Sequence, residues 1–267
     1  MRRIYAYYSR KDDGVIQEET LGEHIREALR AVNNMKKVLS YGLRLSKDFQ
    51  LMLSLSVILH DLGKVVYNQY LFKPDKGLSF RGHEIVSTWL IHKFIDKFDE
   101  DTLKIPREEW DIIGFSVINH HHPMKVSERC EDLTKEPLCS LEVNEDTVKL
   151  FLYEVESSNV VDKELREIIS SFGNEDFLRS ISGVKLGIIA SDTCGQWGIY
   201  TSLWRRVWFD ANPNVRQLFL LNEQGLVVAD YYAASVNRGE AMSEFGKAIQ
   251  DFVRLYSLDY HLALKGI

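Results

Sequence analysis

The sequence predicts a mainly α-helical protein, a bundle with a small C-terminal elaboration. Three observations point there. Apolar residues recur at the 3.6-residue helical spacing through most of the first two hundred positions. The 267 residues are 45% apolar and 11% aromatic with only 16 Gly and 5 Pro, which suits a sizeable core and excludes a collagen, a coiled-coil rod or a disordered chain. Seven of the eight histidines fall between positions 24 and 122, in this helical part of the chain. No internal repeat or low-complexity linker divides the sequence, so residues 1–210 read as one domain and 211–267 as an elaboration packed on it.

Between Leu21 and Leu39, the positions Leu21, Ala28, Ala31, Val32, Met35, Val38 and Leu39 form an apolar helical stripe. Asp48–Leu62 is nearly all apolar and reads as a buried central helix. Gly82–Phe98 and Glu108–His121 are amphipathic, and the second stops at Pro123, which disfavours helix at the residue before it. Residues 128–148 are polar and loop-like. Asp162–Phe172 predicts a short helix, and Ser182–Phe209 a long one interrupted by glycines. Gln217–Tyr232 reads as two short apolar strands around a Glu223-Gln224-Gly225 turn, a small hairpin. A last helix is expected over Gly239–Leu258, with Ala241, Phe245, Ala248, Ile249, Phe252, Val253 and Tyr256 on one stripe.

The 33 Lys and Arg against 39 Asp and Glu leave a formal charge of −6, which argues against a broad basic surface for wrapping duplex DNA. Cys130, Cys139 and Cys194 form no CxxC pair and suit a reducing cytoplasm better than a disulfide scaffold. The basic start lacks the apolar run of a signal peptide, and no stretch approaches the ~20 apolar residues of a membrane span. A cytoplasmic protein with no membrane partner is expected.

The strongest local signal is His60-Asp61-Leu62-Gly63-Lys64 at the end of the buried helix. A carboxylate after an apolar run is costly to bury unless a cation neutralises it, and a divalent metal does so well. The plainer reading of the pair alone is a capping Asp beside a packed His. The pair has company, however. His24 lies on the stripe of Leu21, Ala28, Ala31 and Met35, where an imidazole must find a hydrogen bond or a metal. His83 opens the next helix within Arg81-Gly82-His83-Glu84. His92, about 900° of helical rotation further on, points to the opposite face and reads as a bystander, as does His261. His120-His121-His122 closes another helix. Adjacent rings differ by about 100°, so two can converge on one site. Pro123 favours His120 and His121, with a one-residue slip left open. Asp192 interrupts the largely apolar helix Val184–Ser191 and is either a second buried carboxylate needing a cation or a cap for the following turn. Imidazole and carboxylate together suit one or two divalent transition-type ions, Mn, Fe, Ni, Co or Zn, with Mg where carboxylate and water dominate. Trp204, Arg205, Arg206 and Trp208 form an aromatic and basic cluster. They read either as a grip for single-stranded nucleic acid or as a packed i, i+4 tryptophan pair beside exposed arginines.

The ordered series His24, His60-Asp61, His83, His120-His121 and Asp192 resembles the HD phosphohydrolase superfamily. Within it, the pattern looks like the free-standing HD nuclease subunit of type I CRISPR–Cas interference. The resemblance spans about residues 15–210 and rests on the order of the ligands and the HDxGK core. The chain has no P-loop motif and is too short for a fused helicase. The resemblance implies an HD-domain helical bundle, a metal-dependent endo- or exodeoxyribonuclease preferring single-stranded DNA, with RNA as the other nucleic-acid substrate. It implies antiviral defence beside a separate CRISPR helicase and a crRNA-guided complex. It also implies one metal on His24, His60, Asp61 and Asp192, and a second on Asp61 as bridge, His83, His120 and His121. Lys64 would stand near the scissile phosphate, so Asp61 and Lys64 are the expected catalytic pair. The family commonly has two consecutive His followed by a small residue, whereas this chain has three followed by Pro123. An HD-type nucleotide phosphohydrolase or phosphodiesterase acting on a small substrate is the alternative, although no GYP-type element follows the paired His. A non-catalytic HD scaffold is the third reading, against which the intact ligand series argues.

Overall fold

The computed structural model describes residues 3–10, 14–73, 75–121 and 125–238. His122, Pro123, the expected helix Gly239–Leu258 and His261 lie outside them. The chain begins with an antiparallel hairpin that the sequence reading did not anticipate, β1 (Tyr5–Arg10) and β2 (Ile16–Thr20). Thr20 then caps α1 (Leu21–Asn34), with Glu23 returning a bond to the Thr20 backbone in a capping box. The stripe expected as one helix breaks at Met35 (φ −77°, ψ 51°), and α2 (Lys36–Leu45) continues from there. Every apolar position of that stripe is buried.

The central helix is α3 (Phe49–Leu59), and after a tight turn α4 (Lys64–Leu71) follows. One helical stretch, Phe49–Leu71, is long and apolar enough to cross a membrane, which departs from expectation. Yet 89% of its apolar window is buried inside the protein, as in a core helix. Next come α5 (His83–Lys97), α6 (Glu100–Leu103) and α7 (Arg107–Asn119). Residues 128–148, expected as loop, instead hold α8 (Val126–Leu133), a 3-10 turn at Leu138–Ser140 and strand β3 (Glu142–Val143). Then follow α9 (Glu145–Ser157), α10 (Lys163–Ser171) and α11 (Glu175–Ile181). Strand β4 (Val184–Lys185) pairs with β3 and leads into α12 (Leu186–Cys194). After the break at Gly195 and Gly198 come α13 (Ile199–Trp204), a π-helical turn at Arg205–Phe209 and α14 (Pro213–Arg238).

The last of these corrects the expected hairpin. Gln217–Tyr232 is one continuous helix, because its buried positions Val215, Leu218, Phe219, Asn222, Leu226, Ala229 and Ala233 recur with helical period. Gly225 is not a turn residue. A Cβ there would come within 2.9 Å of Leu53, so glycine allows α14 to lie close against α3. Helix α14 also packs on α1 and α7, and is integral to the bundle rather than an appendage. Helix α5 packs on α7 and α12. The cysteine expectation needs a correction too: Cys130 and Cys194 form a disulfide that ties α8 to α12, their Cα atoms 6.3 Å apart, while Cys139 is free.

Candidate metal centre

Three helix-end turns present their histidines by the same local device. At the end of α3, His60 donates from Nδ1 to the Val57 carbonyl (2.7 Å). At the start of α5, His83 does so to Phe80 (2.8 Å), and at the end of α7, His120 does so to Val117 (2.6 Å). A carbonyl only accepts, so each Nδ1 carries the proton and each Nε2 is left as the free nitrogen. His24, in the first turn of α1, is oriented by a carboxylate instead: its Nδ1 lies 2.7 Å from Glu19 Oε1. Glu19 is itself held by Asn237 Nδ2 and Arg238 Nε, both at 2.7 Å, from the end of α14.

The Nε2 atoms of His24, His60, His83 and His120, with Asp61 Oδ1, are buried and have no hydrogen-bond partner among the described residues. They face one another. Asp61 Oδ1 lies 3.1 Å from His83 Nε2 and 3.4 Å from His60 Nε2, and Oδ2 lies 3.7 Å from His24 Nε2. Ring centroids are 5.4 Å apart for His24 and His60, 5.1 Å for His60 and His120, and 5.2 Å for His83 and His121. Four fixed imidazoles turned toward a buried carboxylate, three of them with the proton held on Nδ1, fit a metal, since such groups otherwise stay unsatisfied at substantial cost. Three overlapping groups could each hold an ion: His24–His60–Asp230, His60–Asp61–His120 and His83–His120–His121.

The turn between α3 and α4 fixes Asp61 in place. Ser87 of α5 donates from Oγ to the His60 carbonyl (2.9 Å) and accepts from the Gly63 amide (2.8 Å). A Cβ at Gly63 would collide with the His83 carbonyl oxygen, so the glycine of HDxGK lets the entry of α5 touch this turn. Gly82 supplies the left-handed residue (φ +81°) that starts α5. Lys64 is nearly buried and donates from Nζ to Asp61 Oδ2 (2.8 Å).

Asp192 is not part of this cluster. It is exposed, its Oδ2 accepts from Trp89 Nε1 (3.2 Å), and it lines a 560 Å³ cavity with His92 and Trp197. It is neither the buried carboxylate nor the cap that the sequence suggests: its side chain is exposed, and α13 starts after Gly198 with no side-chain cap. Asp230 of α14 takes the expected place, with Oδ1 3.2 Å from His24 Nε2 and 3.8 Å from His60 Nε2. Like Asp192, it closes an apolar run, Leu226–Ala229, which was mistaken for a strand. His92 stays apart from the centre, paired with Asp96 at 3.1 Å.

Charge is divided within the centre. Burial alone would raise the Asp61 and Asp230 carboxyls, but the cationic and imidazole groups around them hold both well below the usual range. Burial would likewise raise Glu19, yet His24 and Arg238 bring it down to about 2. Burial would lower His24, but Glu19, Asp230 and Asp61 outweigh this and lift it to about 9. At the other end, burial and neighbouring imidazoles push His120 well down and His121 to about 3. One half is therefore rich in carboxylate, the other contains the two imidazoles of lowered pKa, His120 and His121, and Asp61 lies between them.

The aromatic cluster is assembled as neither expectation had it. Trp204 stacks on Phe209 (5.2 Å) and Trp208 meets Phe219 edge-on, with both tryptophans more than a third exposed. Arg206 is held by Asp111 through two bonds, and Arg205 lies 3.4 Å from Asp210. No protein-family model, curated protein or solved structure matches the chain.

Proposed function

We propose that the chain is an HD-superfamily metal-dependent phosphodiesterase. On the sequence resemblance, its substrate is DNA, single-stranded by preference, cleaved as the nuclease subunit of a CRISPR–Cas system beside a separate helicase. The observation that carries the reading is the convergence of four Nδ1-tethered histidines, each with an unpartnered Nε2, on Asp61. A scaffold would have no use for buried nitrogens left bare.

His24, His60 and Asp230 would hold one divalent ion, and His83, His120 and His121 a second. Asp61 would be a ligand common to both. Bound ions of this kind supply Lewis acidity and hydroxide near neutral pH. Asp61 offers one oxygen to each half. Lys64 keeps an ammonium beside Asp61, where it can bind a non-bridging phosphate oxygen and offset the charge that develops there. Ser87 and Gly63 keep the Asp61 turn rigid, and the carbonyls of Val57, Phe80 and Val117 fix the rings.

The test is phosphodiester cleavage by the purified chain with Mn²⁺, Ni²⁺ or Mg²⁺ across single-stranded DNA, duplex DNA, RNA and a nucleotide panel. His60→Ala and Asp61→Ala should each abolish cleavage while the circular dichroism spectrum is kept. Wild-type rates in either variant would overturn the reading. Hydrolysis of a small nucleotide is the second reading, and the pairing of Arg205 and Arg206 with aspartates favours it. Turnover in the nucleotide arm alone would select it.

A further inference from the structure

One buried cation outside the ligand set touches every segment that builds the three-histidine half. Arg129 of α8 is 4% exposed, and its guanidinium divides three ways. Nε lies 2.9 Å from Glu84 Oε1, one of the Nη groups donates to the His121 carbonyl (3.3 Å), and the other donates to the Ile118 carbonyl (3.2 Å). Glu84 in turn places Oε2 3.2 Å from Nδ1 of His83. The carbonyls of Ile118 and His121 belong to the end of α7, where helix carbonyls lack intrahelical partners and a cation is favoured. One side chain thus joins the turn carrying His120 and His121 to the carboxylate beside His83. Among the described residues, none of the hydrogen bonds or ion pairs of Arg129 reaches His24, His60 or Asp230.

Helix α8 is itself held firmly for this task. Cys130, the next residue, is bridged to Cys194 of α12. Leu133 sits so close to Gly82 that a Cβ there would come within 2.8 Å of it. Arg81 and Asp132 pair at 3.3 Å on the same side.

We infer that Arg129 is a positioning residue that sets the geometry of the His83–His120–His121 half and thereby controls loading of the second metal ion, leaving the first half unaffected. The inference rests on the metal-centre reading above. A guanidinium suits the role better than an ammonium, because its planar fork serves a carboxylate and two carbonyls at once. Removing the arginine alone would leave Glu84 buried and unpaired, so the charge pair is best removed together.

The experiment is Mn²⁺ titration of the metal-free protein, with stoichiometry by elemental analysis and affinity by calorimetry. His83→Ala and Asp230→Asn serve as references for loss of each half. Wild type should bind two ions. Arg129→Gln and the double variant Arg129→Met with Glu84→Gln should copy His83→Ala, keeping one ion at unchanged affinity and weakening the other by about 10- to 100-fold. Arg129→Lys should recover part of the loss. Retention of both ions at wild-type affinity, or loss matching Asp230→Asn, would overturn the inference, as would a wild type that binds fewer than two ions. Two ions bound and the expected losses seen, with no phosphodiester cleaved, would defeat the phosphodiesterase reading and leave this one standing.

Discussion

Single residues decide whether the centre exists. Asp230 and Asp192 make the sharpest contrast, since both end apolar runs and only one faces the histidines. Asp230→Asn should weaken metal binding by more than about 100-fold, beyond the loss of an outer-shell partner. Asp192→Asn should leave affinity and cleavage within about threefold, and parallel titrations of the two variants decide between them. His24 adds a pH signature in the metal-free protein. Its pKa, raised to about 9, means that the stability it contributes is fully present below its unfolded value of about 6.5 and is lost as pH rises through 9. In chelator, the melting temperature of wild type should exceed that of His24→Gln at pH 6, and the gap should shrink by pH 10.

At the scale of elements, the turn between α3 and α4 carries the greatest constraint. Gly63→Ala pushes a methyl group against the start of α5. It should cost about 1–3 kcal/mol, read as a lower midpoint in urea, with cleavage falling further than stability because Asp61 moves with the turn. Secondary structure was legible where apolar residues repeated along one face, as over Leu21–Leu39, and not in α8, whose buried face includes Arg129. The helix around His24 stood out as a periodic stripe carrying a misplaced imidazole, whereas those of His83 and His120, expected as amphipathic, are buried nearly all round. Helix α14 did not stand out, because Asn222-Glu223-Gln224-Gly225 splits its apolar positions into two runs of strand length. Gly225 then looked like a hairpin turn, whereas it is the point where two helices touch. Glu19 and Arg129 were missed for a different reason. Charged residues in polar stretches look solvated in sequence, and only the packing of α14 over Glu19 and of α8 against its neighbours shows that they are buried.

For the molecule as a whole, five packed helices (α1, α3, α5, α7 and α14) meet at one buried cluster of imidazole and carboxylate. Such a centre couples ligand binding to global stability. Metal bound at a hundred times its dissociation constant adds about 2.7 kcal/mol, so chelation of the loaded protein should lower the melting temperature by several degrees, and re-addition should restore it. A scan unaffected by chelator would mean that the cluster holds no ion.

The span of the centre along the chain also bears on synthesis. Glu19, which orients His24, is fixed by Asn237 and Arg238, and the carboxylate facing His24 is Asp230. A nascent chain that has emerged as far as α13 already carries every histidine of the cluster but lacks these three closing residues. The earliest ring to leave the ribosome is therefore among the last to be oriented, and the carboxylate-rich half cannot be completed until the final described helix docks.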